Sequence, residues 1–137
     1  VFWDTNLFIY LIEGTGERSD AVLHLRDRML ARTDRLFTSA LTLGEVLVKP
    51  TEANEPELVA KYEEILTTGA TILTFDVNAA RIFATIRRDR TIRPPDAIQL
   101  ACAAQAKVDL FITNDDRLSQ KVVPGIQFVT SLDKAFL

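Results

Sequence analysis

One cysteine, one histidine and one tryptophan are all that this 137-residue chain carries of three residue types that often do chemistry. Cys102 has no partner for an internal disulfide, and its setting in Ala101-Cys102-Ala103-Ala104 reads as a buried structural thiol. His24 lies far from it in sequence, so a cysteine nucleophile activated by histidine is not expected. Apolar runs of 18 or more residues are also missing, and the first residues lack a basic stretch followed by an apolar core and a small-residue cleavage site. A soluble, cytoplasmic protein is the expectation. Positive charge is in short supply too: 16 Lys and Arg against 19 Asp and Glu give a net charge of -3. That excludes a surface that binds nucleic acid everywhere, so any such site must be local or mediated by a metal. Gly14-Thr15-Gly16 lacks the rest of a phosphate-binding loop and is read as the end of the first helix.

Hydrophobic residues at 47% beside 26% charged residues suit an ordinary globular domain, and the length suits one domain over 1–137. Short apolar runs at 1–3, 36–40, 71–75, 109–113 and 126–129 have strand length and are rich in β-branched or aromatic residues. Helical spacing fills 5–13, 19–35, 41–48, 55–68, 77–90 and 95–107. Strands alternating with helices predict parallel βαβ units of the α/β class, wound right-handed around one sheet. The first helix, Leu7-Phe8-Ile9-Tyr10-Leu11-Ile12, is apolar on every face, which suits the core or a partner's surface.

In an open parallel sheet the ligand crevice lies beyond the carboxyl ends of the strands. Four acids are predicted to gather there. Asp4 follows the first strand directly, and Asp115 follows the fourth by one residue. Glu45 stands about one turn into the helix leaving the second strand, and the wide apolar arc around it predicts partial burial. Asp96 starts a helix that must run antiparallel to the fourth strand, so its first turn returns to the same edge. Each acid also suits a helix start, where side-chain oxygens cap free N–H groups and the helix dipole is positive. Asp76, after the third strand, is read as a cap and nothing more. Four carboxylates in one crevice repel one another without a cation, and oxygen ligands with no thiol or imidazole nearby favour Mg²⁺ or Mn²⁺ over zinc.

The ordered set Asp4-Thr5-Asn6, isolated Glu45, Pro95-Asp96-Ala97 and Thr113-Asn114-Asp115 resembles the signature of PIN-domain nucleases, and most nearly that of the VapC toxins of toxin–antitoxin pairs. The resemblance spans essentially the whole chain. It implies a single-domain α/β/α sandwich with a five-stranded parallel sheet of order 3-2-1-4-5. It also implies a Mg²⁺- or Mn²⁺-dependent endoribonuclease, a homodimer and a cognate antitoxin that blocks the site. Carried over by residue, it makes Asp4 and Asp96 metal ligands, Asp115 a ligand directly or through water, and Glu45 the residue orienting a water on the metal. Asn6, Thr113 and Asn114 would orient the carboxylates by hydrogen bonds, with Asp116 joining through water.

Eleven arginines against five lysines favour bidentate contact with phosphate. Arg87, Arg88, Arg90 and Arg93, just before Asp96, are the candidate RNA-binding group, although charges on a helix face are commonly only solvated or paired with neighbouring acids. Competing functions are weighed by what they require. A receiver-like domain needs a lysine after a late strand, where Thr113-Asn114-Asp115 stands. A catalytically silent relative would be expected to have lost a carboxylate, and all four are present. A nuclease acting on DNA stays open, since phosphodiester hydrolysis does not need the ribose 2′-OH.

Overall fold

A computed structural model describes residues 1–135. The elements run β1 (Phe2–Trp3), α1 (Thr5–Glu13), α2 (Glu17–Arg32), β2 (Phe37–Ser39), α3 (Ala40–Glu52), α4 (Pro56–Gly69), β3 (Thr71–Leu73), α5 (Val77–Ile86), α6 (Pro94–Gln105), β4 (Leu110–Thr113) and β5 (Phe128–Ser131), followed by a short 3-10 turn, Leu132–Lys134. The five strands form one sheet of order β3-β2-β1-β4-β5, and every pairing is parallel.

Side chains alternate across a strand, so the two residues of β1 serve two different cores. Phe2 stacks on Phe111 of β4, with ring centroids 4.9 Å apart, in the core covered by α5 and α6. Trp3 points the other way and meets Phe8 at 5.3 Å, in the core built with α1 and α2. Both β1 residues are 0% exposed, as the central strand of a sandwich with helices on both faces requires. The α6 helix packs through small residues: Ala97, Ala101, Ala103 and Ala104 are buried with Leu100 and Cys102, which lets it lie close to the sheet. Cys102 is an inert packing residue, its thiol pushed up to about 11 by burial. In α1, Leu7 and Phe8 are buried while Ile9 to Ile12 are half-buried, and Gly14 ends the helix in the left-handed conformation with φ 55°. No helix among the described residues is long and apolar enough to cross a membrane.

Several boundaries depart from the sequence reading, among them the end of the second helix at Arg32 and of the third strand at Leu73, and three bear on the fold. The last strand begins at Phe128 and not at residue 126, because Val123 to Ile126 close a turn around Gly125. Gly125 has φ 95°, and a Cβ there would sit 2.7 Å from the carbonyl oxygen of Ala104. The 77–90 helix stops at Ile86: Asp89 accepts hydrogen bonds from the N–H and hydroxyl of Thr91 and turns the chain. Helix α3 continues four residues past Val48, through Pro50, to Glu52.

Candidate active site

A cleft of about 240 Å³ opens at the carboxyl edge of the sheet, lined by Asp4, Thr5, Asn6, Ile9, Glu45, Pro95, Asp96, Gln99 and Asp115. All four sequence-selected carboxylates line it, each delivered by a different element.

Asp4 leaves β1 still held in the sheet, its N–H donating to the carbonyl of Ile112 at 3.0 Å. It caps α1, with Oδ1 accepting from the Thr5 N–H at 2.7 Å, while Oδ2 accepts from the Thr113 hydroxyl at 2.9 Å. Burial leaves it 8% exposed and pushes its carboxyl up to about 6; the two hydrogen bonds oppose that shift, and the charges of Asp96 and Glu45 add to it. Asp96 stands in the first turn of α6 after Pro94 and Pro95, half-buried. Its carboxyl is also raised, by burial first and then by Asp115, with Arg117 and Arg93 opposing. Among the described residues nothing donates a hydrogen bond to it.

Glu45 corrects an expectation: the residue is exposed and not partly buried. The buried face of α3 is Thr42, Val46 and Pro50, at spacing i, i+4, i+8, and Glu45 falls outside it. Its Oε1 nevertheless reaches the cleft and accepts from the Thr5 hydroxyl at 2.8 Å. Asp115 lies in the turn after β4 and is held by Arg117 through Nε to Oδ1 at 3.0 Å and Nη2 to Oδ2 at 2.6 Å. That guanidinium keeps its carboxyl below the usual range.

The remaining sequence candidates divide. Thr113 bridges the site, donating to Asp4 and accepting from the Asp115 N–H at 3.0 Å. Asn6 lines the cleft. Asn114 turns away, its amide donating to the Tyr10 hydroxyl at 2.9 Å rather than to a carboxylate, and Asp116 is exposed outside the lining. Of the arginines, Arg93 acts electrostatically on both Asp96 and Asp115. Arg87 is spent on the carbonyl of Ile92 at 2.6 Å, Arg88 lines a separate groove with Lys121 and Val122, and Arg90 is exposed outside the cleft lining.

Sequence reasoning missed Thr5, Gln99 and Arg117. Gln99 left a signal: it is the one polar residue between Asp96 and Gln105 on an otherwise apolar helix, three residues from Asp96 and so on the same face.

No three carboxylate, thiol or imidazole groups among the described residues already stand together as a metal cage. Protein donors engage both carboxylate oxygens of Asp4 and of Asp115, and one oxygen of Glu45. The donor chemistry fits a hard divalent cation all the same: every ligand is oxygen, and two carboxyls are raised by burial and mutual charge, a cost that a cation would offset.

Comparison with known proteins agrees with the fold. Among curated proteins none matches the sequence. Among solved structures, VapBC2 from Rickettsia felis bound to a DNA fragment from their promoter superposes with a TM-score of 0.72 at 16% identity, covering 95% of this chain and 96% of that one. A toxin–antitoxin complex from Klebsiella pneumoniae gives 0.64 at 20% identity, covering 92% and 94%. VapBC-5 from Mycobacterium tuberculosis, a member of the VapBC family of toxin–antitoxin systems, gives 0.60 at 21%, covering 95% and 96%. At such identities these likenesses speak for the fold. The sequence itself matches the PIN domain over residues 1–123, nearly the whole chain, and the protein therefore belongs to the PIN domain family.

Proposed function

We propose that the protein is a divalent-cation-dependent endoribonuclease, the toxin of a toxin–antitoxin pair, acting in the cytoplasm as a homodimer whose antitoxin blocks the cleft. One observation carries the catalytic part of this reading: four carboxylates from four elements converge on a single cleft, where burial and charge hold Asp4 up at about 6. Solved structures of similar fold described as toxin–antitoxin complexes support the partner.

Asp4, Asp96 and Asp115 would hold Mg²⁺ or Mn²⁺, with Glu45 beside them. A cation held there would supply Lewis acidity, easing loss of a proton from the attacking water and offsetting negative charge at the phosphodiester. The chain's own residues set the geometry. Thr113 bonds both one oxygen of Asp4 and the backbone of Asp115, and so ties together the two acids that follow β1 and β4. Thr5 holds Glu45 over the cleft, where its free carboxylate oxygen can accept a proton from water. Arg93 and Arg117 give the rim positive charge that acts on the acids, which suits a phosphate backbone and meets the demand for a local cationic site on a chain of net charge -3.

The test is cleavage of total RNA and of single-stranded DNA by purified protein with Mg²⁺, with Mn²⁺ and with chelator, followed by sequencing of the cut ends. Internal cuts in RNA alone, lost in chelator, are expected. Cuts in DNA would reassign the substrate, and no cuts under any condition would leave a silent member of the family.

A further inference from the structure

Gln99 is 2% exposed in the wall of the cleft, and no part of the hydrolytic chemistry above uses it. Its side chain joins three others. The amide nitrogen donates to the Thr42 hydroxyl at 2.7 Å and to the Thr5 hydroxyl at 3.1 Å, and the amide oxygen accepts from the Ser39 hydroxyl at 2.5 Å. Ser39 in turn accepts from the Thr42 N–H at 3.4 Å as the cap of α3.

The donor inventory allows one arrangement of these protons. Ser39 takes the Thr42 N–H on its lone pair, so its own proton goes to Gln99. The two amide protons of Gln99 go to Thr5 and Thr42. Glu45 can only accept when ionised, so the proton in the 2.8 Å contact belongs to Thr5. Thr5 has then no proton left for Thr42, and in their 3.1 Å contact Thr42 is the donor. Every donor is used, and each bond passes polarity the same way, from the cap of α3 through the amide of α6 to the carboxylate on the exposed face of α3. Glu45 needs such a device. Its helix does not bury it, and a long side chain on a solvated face otherwise samples many rotamers.

We infer that Gln99 is a positioning residue: through the Thr5 hydroxyl it orients Glu45 for proton transfer in the cleft. The inference rests on the nuclease reading and adds to it a residue that touches neither substrate nor cation. A carboxylate held by an oriented hydroxyl is ready before substrate arrives, and loss of a hydrogen bond to a charged group lowers turnover on the order of tenfold to a hundredfold.

The experiment is a double-mutant cycle read in two ways. In metal-free protein, the buried side-chain amide of Gln99 gives a pair of ¹H–¹⁵N signals slow to exchange with solvent, and Glu45→Gln shifts that pair. In the cleavage assay, Gln99→Met lowers kcat on the order of tenfold or more with KM little changed, and it costs nothing further once Glu45→Gln is present. Because Gln99→Met leaves buried hydroxyls without partners and is open to folding defects, Thr5→Val breaks the same chain at its last link and Thr5→Ser restores it. An unmoved amide signal overturns the inference, as does a Gln99→Met effect that multiplies fully with Glu45→Gln, even in a protein that cleaves RNA well. A shifted amide in a protein that cleaves nothing overturns the nuclease reading and with it the catalytic use of the chain.

Discussion

Asp4 and Asp76 stand in the same local grammar and end in opposite electrostatic states. Each follows a strand and opens a helix, and each accepts from a backbone N–H of that helix, at 2.7 Å from Thr5 and 2.9 Å from Ala79. Asp4 is buried and raised to about 6. Asp76 is exposed and held low by the N–H of Ala79 and the amide of Gln105. Their places in the sheet make the difference: β1 is the central strand with Glu45 and Asp96 beside its end, whereas β3 is an edge and Asp76 there accepts from the Ala79 N–H and the Gln105 amide. Capping a helix and belonging to a site are therefore compatible, and neighbours decide which consequence dominates.

The largest expected effect breaks the two junctions apart. Asp4→Asn, Asp96→Asn and Asp115→Asn should each lower RNA cleavage by at least about a hundredfold, since a charged ligand is lost, while Asp76→Asn leaves the rate unchanged. Rates measured at a fixed, verified metal concentration check this. Equal losses at positions 4 and 76 would mean that only folding is being read.

Next in size is an opposite dependence on pH. The folded carboxyl of Asp4 lies above the unfolded value of 3.8, so the folded state binds more protons between the two and stability in chelator falls as pH rises from about 4 to about 6. A carboxyl displaced from 3.8 to about 6 while nearly buried corresponds to about 3 kcal/mol, which Asp4→Asn should abolish in urea titrations at pH 4 and pH 7. Asp76, lowered on folding, contributes stability above its unfolded value that is lost as pH falls through its folded one. Asp76→Ala should therefore lower stability at neutral pH as the loss of a helix cap does, to the same extent with and without metal.

How much of this was readable in advance follows the same division between local and tertiary causes. Strand-end position placed Asp4 and Asp115 at one edge, and helix direction brought Asp96 there, because the βαβ rule needs only the order of elements. The exposure of Glu45 was not readable: Leu41, Leu43 and Leu47 made a wide apolar arc, and only the packed structure shows α3 seated on Thr42, Val46 and Pro50. Likewise the start of β5 depends on Gly125 meeting Ala104 across 21 residues of sequence, a contact that no short pattern encodes. The division of the arginines was not readable because the helical pattern runs on past Ile86 in the sequence, whereas Asp89 and Thr91 end the helix and separate Arg88 from Arg93.

That separation gives the smallest effect. Arg93→Gln should reduce the slope of log affinity against log salt for single-stranded RNA by about 0.7, measured with a cation that permits binding without cleavage, and Arg88→Gln should leave it unchanged. A slope that falls only for Arg88 would move the RNA path to the other groove.

The central claim is that the carboxylates around Asp4 form a cation site and not a collection of caps. Thermal melts of wild type, Asp4→Asn and Asp96→Asn in chelator and in Mn²⁺ test it most directly. A cation that binds only the folded form stabilises it by about 2.7 kcal/mol at a hundredfold excess over Kd. The account predicts that both variants melt higher than wild type in chelator, because repulsion is relieved, and lose most of the gain from Mn²⁺. Variants that melt lower in chelator and keep the full gain would show that these acids cap helices and hold no metal.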